Sequence, residues 1–174
     1  MSSPSEPTVS DSPFGCSVDQ DVMTAMRDGI CLAADIYWPV DADGQRLQDD
    51  LPTILVRTSY NKTNVEWDDV PEYYAARGFV FIIQDLRSRY KSEGDGRYYH
   101  TCNPWEGDDG FDTVEWIAAQ PWSNGKVGMM GSSHRAIVQT QAASTHCSQR
   151  ASAVLLYVPR GHCSELFTAP VLTK

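Results

Sequence analysis

Short apolar runs alternate with amphipathic segments along most of this chain. The runs have the length and β-branched content of buried strands, whereas the amphipathic segments carry apolar residues at helical spacing. The pattern opens at residues 21–37, where two strands flank Asp28-Gly29, the sequence signal of an antiparallel hairpin. Further strands are predicted at residues 53–57, 79–83, 127–130 and 154–158, and helices at residues 67–77, 108–120 and 136–143.

The order of these elements predicts the fold class. Strands that alternate with helices indicate an α/β fold, here a mostly parallel sheet behind a leading antiparallel hairpin. The segment at residues 79–83 is the most continuously apolar, as expected for a strand covered on both faces. Residues 1–13 are rich in Ser and Pro and have no apolar run, which predicts a disordered tail before one folded unit at residues 14–174.

Charge and composition narrow the possible partners. The chain of 174 residues has 14 basic and 23 acidic side chains, a formal net charge of −9. This balance disfavours nucleic acid and anionic membrane surfaces as partners, and no segment approaches the roughly 18 apolar residues of a membrane span. The tail lacks the apolar stretch of a secretory signal, and the five scattered cysteines fit reduced thiols. We therefore expect a cytoplasmic protein.

One junction carries the signature of a catalytic nucleophile. Residues 126–136 read Lys-Val-Gly-Met-Met-Gly-Ser-Ser-His-Arg-Ala, a short apolar strand followed by a small-residue bend and a helix. A serine on such a turn forms a nucleophile elbow, because strain holds its hydroxyl outward above the strand end. Ser133 is therefore the candidate nucleophile. A serine that merely caps the helix is the alternative, since bulky Arg135 stands where the usual motif has glycine.

An acyl-transfer site also needs donors that face the developing oxyanion. The backbone N–H of the residue after the nucleophile usually supplies one donor, which assigns that role to His134. Tyr60 follows the strand at residues 53–57, so its hydroxyl is a second candidate donor. The alternative for Tyr60 is a loop side chain that packs on its neighbours.

The base and the orienting acid have weaker candidates. His162 follows the last predicted strand and lies at the expected edge of the sheet, which makes it the alternative base. Glu165 is the one acid after Ser133, but it follows His162 and so inverts the usual hydrolase order. His134 adjoins the serine and should point elsewhere, and His146 fits a helix C-terminus better.

Two other groups of side chains could bind an ion, and neither is expected to hold a cofactor or metal. The adjacent His-Cys pairs at residues 146–147 and 162–163 match no common zinc spacing, and neighbouring ligands on one element diverge. The charged cluster after the strand at residues 79–83 could bind an anionic substrate. A local pair between Asp85 and Arg87 that holds the following loop is the favoured interpretation.

Four motifs occur along the chain in one order. They are Met26-Arg-Asp-Gly-Ile-Cys-Leu32, Arg57-Thr-Ser-Tyr-Asn-Lys62, the stretch from Gly78 through Gln84-Asp-Leu-Arg87 to Ser92-Glu-Gly94, and residues 109–131. Together they resemble the cocaine esterase and X-Pro dipeptidyl-peptidase group of α/β-hydrolases. The resemblance runs from about residue 18 to residue 170, and several motifs in sequence are more specific than any one alone.

The resemblance implies a fold, an activity and a set of site residues. It implies an incomplete α/β-hydrolase fold, with residues 14–174 forming the N-terminal portion of the domain and the later strands and cap missing. Ser133 falls on the nucleophile position, and Tyr60 with the His134 backbone N–H on the oxyanion positions. The implied function is a serine hydrolase of the esterase or X-Pro dipeptidyl-peptidase type, which forms an acyl-enzyme with a small-molecule ester or peptide substrate.

The sequence also departs from the pattern of the family. His134 and Ala136 replace the Tyr and Gly of the usual G-x-S-Y-x-G elbow, and Ser88 replaces a loop glycine. The Asp and His of the family's triad have no counterpart here, so we expect this chain alone to be weakly active or inactive. The alternative is a catalytically silent truncated protein that acts, if at all, as a binding module. An uncovered sheet edge would favour self-association.

Overall fold

The computed structural model describes residues 12–48, 50–64, 69–95 and 105–145. Within these ranges the elements are β1 (Gly15–Ala25), β2 (Cys31–Val40), β3 (Leu51–Thr58), α1 (Val70–Ala75), β4 (Val80–Asp85), α2 (Trp105–Ala118), β5 (Ser123–Met129) and α3 (His134–Ser144). Every predicted strand and helix that falls in these ranges is present, with bounds that differ by a few residues. The predicted strand at residues 154–158 and most of the predicted tail lie outside the described residues.

The strands form one mixed sheet in the order β1-β2-β4-β3-β5. β1 and β2 make the predicted antiparallel hairpin, and β2 also runs antiparallel to β4. β3 lies parallel to both β4 and β5. The predicted α/β fold with a leading hairpin is confirmed, although antiparallel pairing extends one strand further than the hairpin. Because β3, β4 and β5 share one direction, their carboxyl ends meet at one edge, where ligands bind in such sheets.

Helices cover both faces of this sheet. The larger core cluster joins the sheet to α2 and α3 through Leu55, Ile82, Val114, Ile117 and Ala142. On the opposite face, Phe81 and Ile83 pack with half-buried Tyr74 of α1. All residues of β4 are buried, which confirms the expectation for the most apolar strand. Burial of each large apolar side chain stabilises the fold by about 1.5–3 kcal/mol. None of the helices in the described ranges is long and apolar enough to cross a membrane.

Arginine ion pairs attach the tip of the β1–β2 hairpin to α2. Arg87 donates from Nη1 to Asp28 Oδ2 at 2.8 Å, and from Nε and Nη2 to the two carboxylate oxygens of Asp109 at 2.9 and 2.6 Å. These hydrogen bonds, Asp109 first, raise the pKa of the Arg87 guanidinium despite its burial. The expectation of a local pair between Asp85 and Arg87 is therefore wrong. The chain turns after β4 ends at Asp85, so that Arg87 reaches carboxylates on other elements, while Asp85 Oδ1 accepts from the Lys62 N–H.

Candidate active site

The turn between β5 and α3 has a strained backbone at its serine. Ser133 has φ 59° and ψ −128°, a region that residues with a Cβ rarely adopt. Its side chain is exposed and makes no capping hydrogen bond to the helix that follows. The alternative of a helix-capping serine therefore does not describe this side chain. The hydroxyl stands outward at the carboxyl end of β5, as the elbow pattern predicts.

Gly131 permits the close approach of the chain to α3 in this turn. Its φ is 133°, and a Cβ at this position would lie 2.6 Å from the Cβ of Arg135, which is too short for two carbon atoms. Arg135 thus fills the space beside Gly131, and its guanidinium carbon lies 5.3 Å from the ring centroid of Tyr60. The Gln139 side-chain amide donates to the carbonyl oxygens of Gly131 and Arg135 at 3.3 and 3.1 Å, which ties the turn to the helix.

Tyr60 reaches the same point from the neighbouring strand. Its phenolic oxygen lies 3.3 Å from Ser133 Oγ, and either oxygen can donate the hydrogen bond. The backbone N–H of Tyr60 donates to Thr58 Oγ1 at 3.0 Å, directly after β3 ends. The structure therefore brings together two residues that the sequence placed after separate strands.

His134 supplies a backbone group to this site, while its side chain turns inward. It is the first residue of α3, so its N–H has no acceptor within the helix. The side chain is 8% exposed, and its Nδ1 has no hydrogen-bond partner in the described part of the chain. Burial lowers the pKa of the imidazole, and the charges of Arg89 and Arg57 lower it further. The imidazole makes no hydrogen bond to the serine in the described structure.

The remaining candidates for base and acid lie outside the described residues. These are His162 with Glu165, and also His146. Within the described ranges, no group of three His, Cys, Asp or Glu side chains is arranged to hold a metal ion. Cys16 and Cys31 are free thiols, which agrees with the expectation of reduced cysteines for these two positions.

The loop that carries Tyr60 is held by buried polar contacts that the sequence did not predict. The Lys62 N–H donates to Asp85 Oδ1 at 2.8 Å, and its Nζ lies 2.8 Å from Asp35 Oδ1 and 2.6 Å from Asp21 Oδ1. Burial alone would lower the pKa of Lys62, but these carboxylates outweigh it and raise the pKa. Burial raises the pKa of Asp85 to about 6. The sequence shows only that Lys62 comes two positions after Tyr60, and it does not indicate which carboxylates the lysine binds.

A second buried cation anchors α2 beneath the same edge. Arg57 is 1% exposed, and it donates from Nε to Gln84 Oε1 at 3.0 Å and from Nη1 to the Glu106 carbonyl oxygen at 2.9 Å. Burial lowers the pKa of Arg57 and raises that of Glu106. Gly110 makes room for this guanidinium, because a Cβ there would lie 2.9 Å from Nη1. The end of β3, and with it the start of the Tyr60 loop, is thereby fixed to the helical layer.

The solved structures that this chain resembles are α/β-hydrolases, and its mixed sheet with helices is a part of that fold. A CocE/NonD family hydrolase from Staphylococcus aureus superposes with a TM-score of 0.66 at 21% identity, over 87% of this chain and 32% of that chain. An α-amino acid ester hydrolase superposes with a TM-score of 0.60 at 26% identity, over 87% of this chain and 26% of that chain.

The sequence itself identifies the family. The model of the X-Pro dipeptidyl-peptidase (S15) family matches residues 28–158, and the chain belongs to this family of hydrolases. It is also 38% identical over 131 residues to cocaine esterase from Rhodococcus sp. (strain MB1 Bresler), which covers 73% of this chain and 21% of that protein. The chain spans about a fifth of the length of the curated relatives that it matches. The resemblance drawn from the ordered motifs is confirmed.

Proposed function

We propose that this chain carries the nucleophile and oxyanion donors of a serine hydrolase that acts on ester or X-Pro peptide carbonyls through an acyl-enzyme on Ser133. The observation that carries the proposal is the 3.3 Å contact between Ser133 Oγ and the Tyr60 hydroxyl. The strained φ of the serine and its exposed side chain support the same role. A cocaine esterase among the relatives and the peptidase family match support carbonyl chemistry.

The proposed reaction has two covalent stages. Ser133 Oγ attacks the carbonyl carbon while a base takes its proton, and the carbonyl oxygen acquires the negative charge. Tyr60 then donates a hydrogen bond from its hydroxyl to that oxygen, and the His134 N–H donates the second. The tetrahedral intermediate then collapses. The alcohol or amine leaves with the proton that the base returns, and the acyl group stays on Ser133 as an ester. Water hydrolyses this ester. One such donor contributes about 10²–10³ in rate.

A catalytically silent chain that only binds carbonyl ligands is the second candidate function. One observation favours it: in the described residues, Tyr60 is the hydrogen-bond partner of the Ser133 hydroxyl, and no histidine or carboxylate contacts it. The base proposed from the sequence is His162, which lies outside the described residues. A site without a base keeps roughly 10³–10⁴-fold catalysis over water, from the oxyanion donors and binding alone.

The proposal is tested by trapping the acyl group. The full chain is mixed with excess p-nitrophenyl acetate, quenched in acid, and digested for peptide mass mapping. We expect acetylation of Ser133, loss of the label in Ser133→Ala, and retention of the label in the matched neighbour variant Ser132→Ala. A folded chain that acquires no label at Ser133, or the same label in Ser133→Ala, contradicts the proposal.

The pH dependence of acylation separates the two candidate functions. With a histidine base, the acylation rate rises through a midpoint near the ordinary histidine pKa of about 6.5 and then reaches a plateau. Without a base, the rate follows hydroxide and rises about tenfold per pH unit with no plateau. If the acylation rate of the wild type reaches a plateau and that of His162→Ala keeps rising about tenfold per pH unit, His162 is the base. An unchanged plateau would remove it as a candidate.

A further inference from the structure

The Tyr60 hydroxyl faces Ser133 from a loop, and a loop position is fixed only by the contacts that hold it. We infer that Lys62 is a positioning residue, whose buried ammonium holds the loop so that the Tyr60 hydroxyl faces Ser133. The inference rests on the proposed function for its catalytic consequence, but its structural part stands on contacts in the described residues. In the described residues the Lys62 ammonium contacts Asp21 and Asp35 and not Ser133, so its proposed effect on the site is exerted through Tyr60.

Two hydrogen bonds fix the backbone on the two sides of Asn61. The Tyr60 N–H is bound by Thr58 Oγ1 at 3.0 Å, and the Lys62 N–H by Asp85 Oδ1 at 2.8 Å. Between them Asn61 has φ 79°, the left-handed conformation that turns the chain sharply. The loop therefore bends at Asn61 and is held by the Lys62 side chain directly after the bend.

Two ion pairs hold the Lys62 side chain in place. It is 3% exposed, and its Nζ lies between Asp35, which is buried, and Asp21, which is partly exposed. An ammonium removed from water is unfavourable unless it is paired and hydrogen-bonded. Since both carboxylates belong to the β1–β2 hairpin, Lys62 fastens the Tyr60 loop to that hairpin.

An irregularity in β1 aims one of these carboxylates at the lysine. The pairing register of β1 and β2 shifts between Asp19 and Val22, and Asp21 in this bulge has φ 54°. The Asp21 N–H donates to Asp35 Oδ1 at 2.9 Å, the same oxygen that contacts Lys62 Nζ. Bulges commonly redirect a side chain toward a functional site, and here the redirected side chain is Asp21.

Loss of the ammonium has a predictable consequence for the site. Without it, the carboxylates of Asp21 and Asp35 repel each other, and the loop keeps only its backbone contacts. A displacement of about 1 Å in a positioning group can lower a rate about 10²-fold. We therefore expect Lys62→Met to lower the acylation rate of Ser133 at least about tenfold. KM should change little, because a displaced oxyanion donor weakens an interaction made in the transition state.

The first arm of the test measures Tyr60 itself and needs no activity. The full chain is labelled with 3-fluorotyrosine, and the Tyr60 fluorine resonance is assigned with Tyr60→Phe. We expect Lys62→Met to shift or broaden this resonance and to leave those of Tyr73 and Tyr74 in α1 unchanged. Lys91→Met is the matched control. Lys91 and Lys62 line one cavity of about 350 Å³, but Lys91 is exposed. A Tyr60 resonance that is unchanged in folded Lys62→Met overturns the inference.

Asp21→Asn covers the case in which Lys62→Met does not fold. The Asp21 carboxylate is 48% exposed, so its loss is mild, and it should change the Tyr60 resonance in the same direction but less. An unchanged resonance in that variant also counts against the inference.

The second arm links Lys62 to the reaction through a double-mutant cycle. If Lys62 acts through Tyr60, the double variant Lys62→Met/Tyr60→Phe acylates Ser133 no more slowly than Tyr60→Phe alone. Fully additive losses would show that Lys62 acts by another route. If the wild type shows no acylation, the proposed function fails while the fluorine spectra still decide the positioning role, so the two failures are distinguishable.

Discussion

The phenolic oxygen of Tyr60 lies 3.3 Å from the hydroxyl oxygen of Ser133, although 73 positions separate the two residues in the chain. The contact exists because β3 and β5 are parallel neighbours, so that the segments following them leave the sheet at the same edge. Tyr60 is two positions after the end of β3 at Thr58, and Ser133 is four positions after the end of β5 at Met129. Sheet topology, with a strained turn on one strand and an anchored loop on the other, thus forms the site.

The hydroxyl of Tyr60 should matter for the reaction and little for stability. Tyr60→Phe removes one of the two proposed oxyanion donors, and we expect the acylation rate of Ser133 to fall about 10²-fold or more. The free energy of unfolding should change by no more than about 0.5 kcal/mol, since the hydroxyl contacts an exposed side chain. Stopped-flow acylation and urea unfolding measure the two effects. Tyr90→Phe, at a residue that is 59% exposed, is the matched control and should change neither.

The strain at Ser133 should be visible as a difference between two substitutions that both remove the hydroxyl. At φ 59° and ψ −128°, glycine is tolerated and alanine is not. We expect Ser133→Gly to be about 1–2 kcal/mol more stable than Ser133→Ala in urea unfolding. Ser132 lacks a positive φ, so there the order should reverse, with alanine more stable by about 0.5–1 kcal/mol. If alanine were more stable than glycine at position 133 as well as at position 132, Ser133 would carry no strain.

The space at Gly131 should tolerate no side chain. Gly131→Ala places a methyl group 2.6 Å from the Cβ of Arg135 and keeps an unfavourable φ of 133°. We expect a loss of about 1–3 kcal/mol in the free energy of unfolding. Because the contacted atom is a Cβ, Arg135→Ala should not rescue Gly131→Ala. Rescue in the double variant would mean that the long guanidinium side chain, and not the closeness of the two backbones, causes the loss.

The sequence predicted the strands and helices in the described residues, because the two kinds of element differ in the spacing of their apolar residues. Residues 80–83 of the predicted apolar strand lie in the fully buried β4, and the Gly131-Ser132 bend marks the turn before α3. The predicted helix at residues 67–77 is described only as Val70–Ala75, and Gly78 after it has the φ of 86° expected at a helix end. These features depend on local sequence, which is why pattern and propensity suffice for them.

The partners of the charged side chains could not be predicted in the same way. Arg87 bonds Asp28 and Asp109, which lie on other elements, whereas the sequence favoured the nearby Asp85. Lys62 finds its carboxylates on the hairpin through a bulge that no hydrophobic period reveals. Such contacts depend on strand order and register, which are properties of the assembled sheet.

The buried carboxyl of Asp85 should make stability depend on pH. Its pKa is raised from 3.8 to about 6, mainly by burial, so the folded chain holds this proton more tightly than the unfolded chain. The stabilisation from this group is complete below about pH 4 and is lost as the pH rises through about 6. Asp85→Asn keeps an oxygen acceptor for the Lys62 N–H and removes the charge.

Urea unfolding of the wild type and Asp85→Asn between pH 4 and 8 measures this contribution. We expect the variant to gain stability relative to the wild type as the pH rises, with a slope of at most about 1.4 kcal/mol per pH unit. A difference that is constant across this range would show that Asp85 has an ordinary pKa in the folded chain.

The most direct measurement for the central claim is peptide mapping of the full chain after reaction with a fluorophosphonate probe, which phosphonylates activated serines. We expect covalent label on Ser133, unchanged labelling in Ser132→Ala, and slower labelling in Tyr60→Phe. A folded sample that remains unlabelled, or that carries its label on another serine, would show that Ser133 is not the nucleophile.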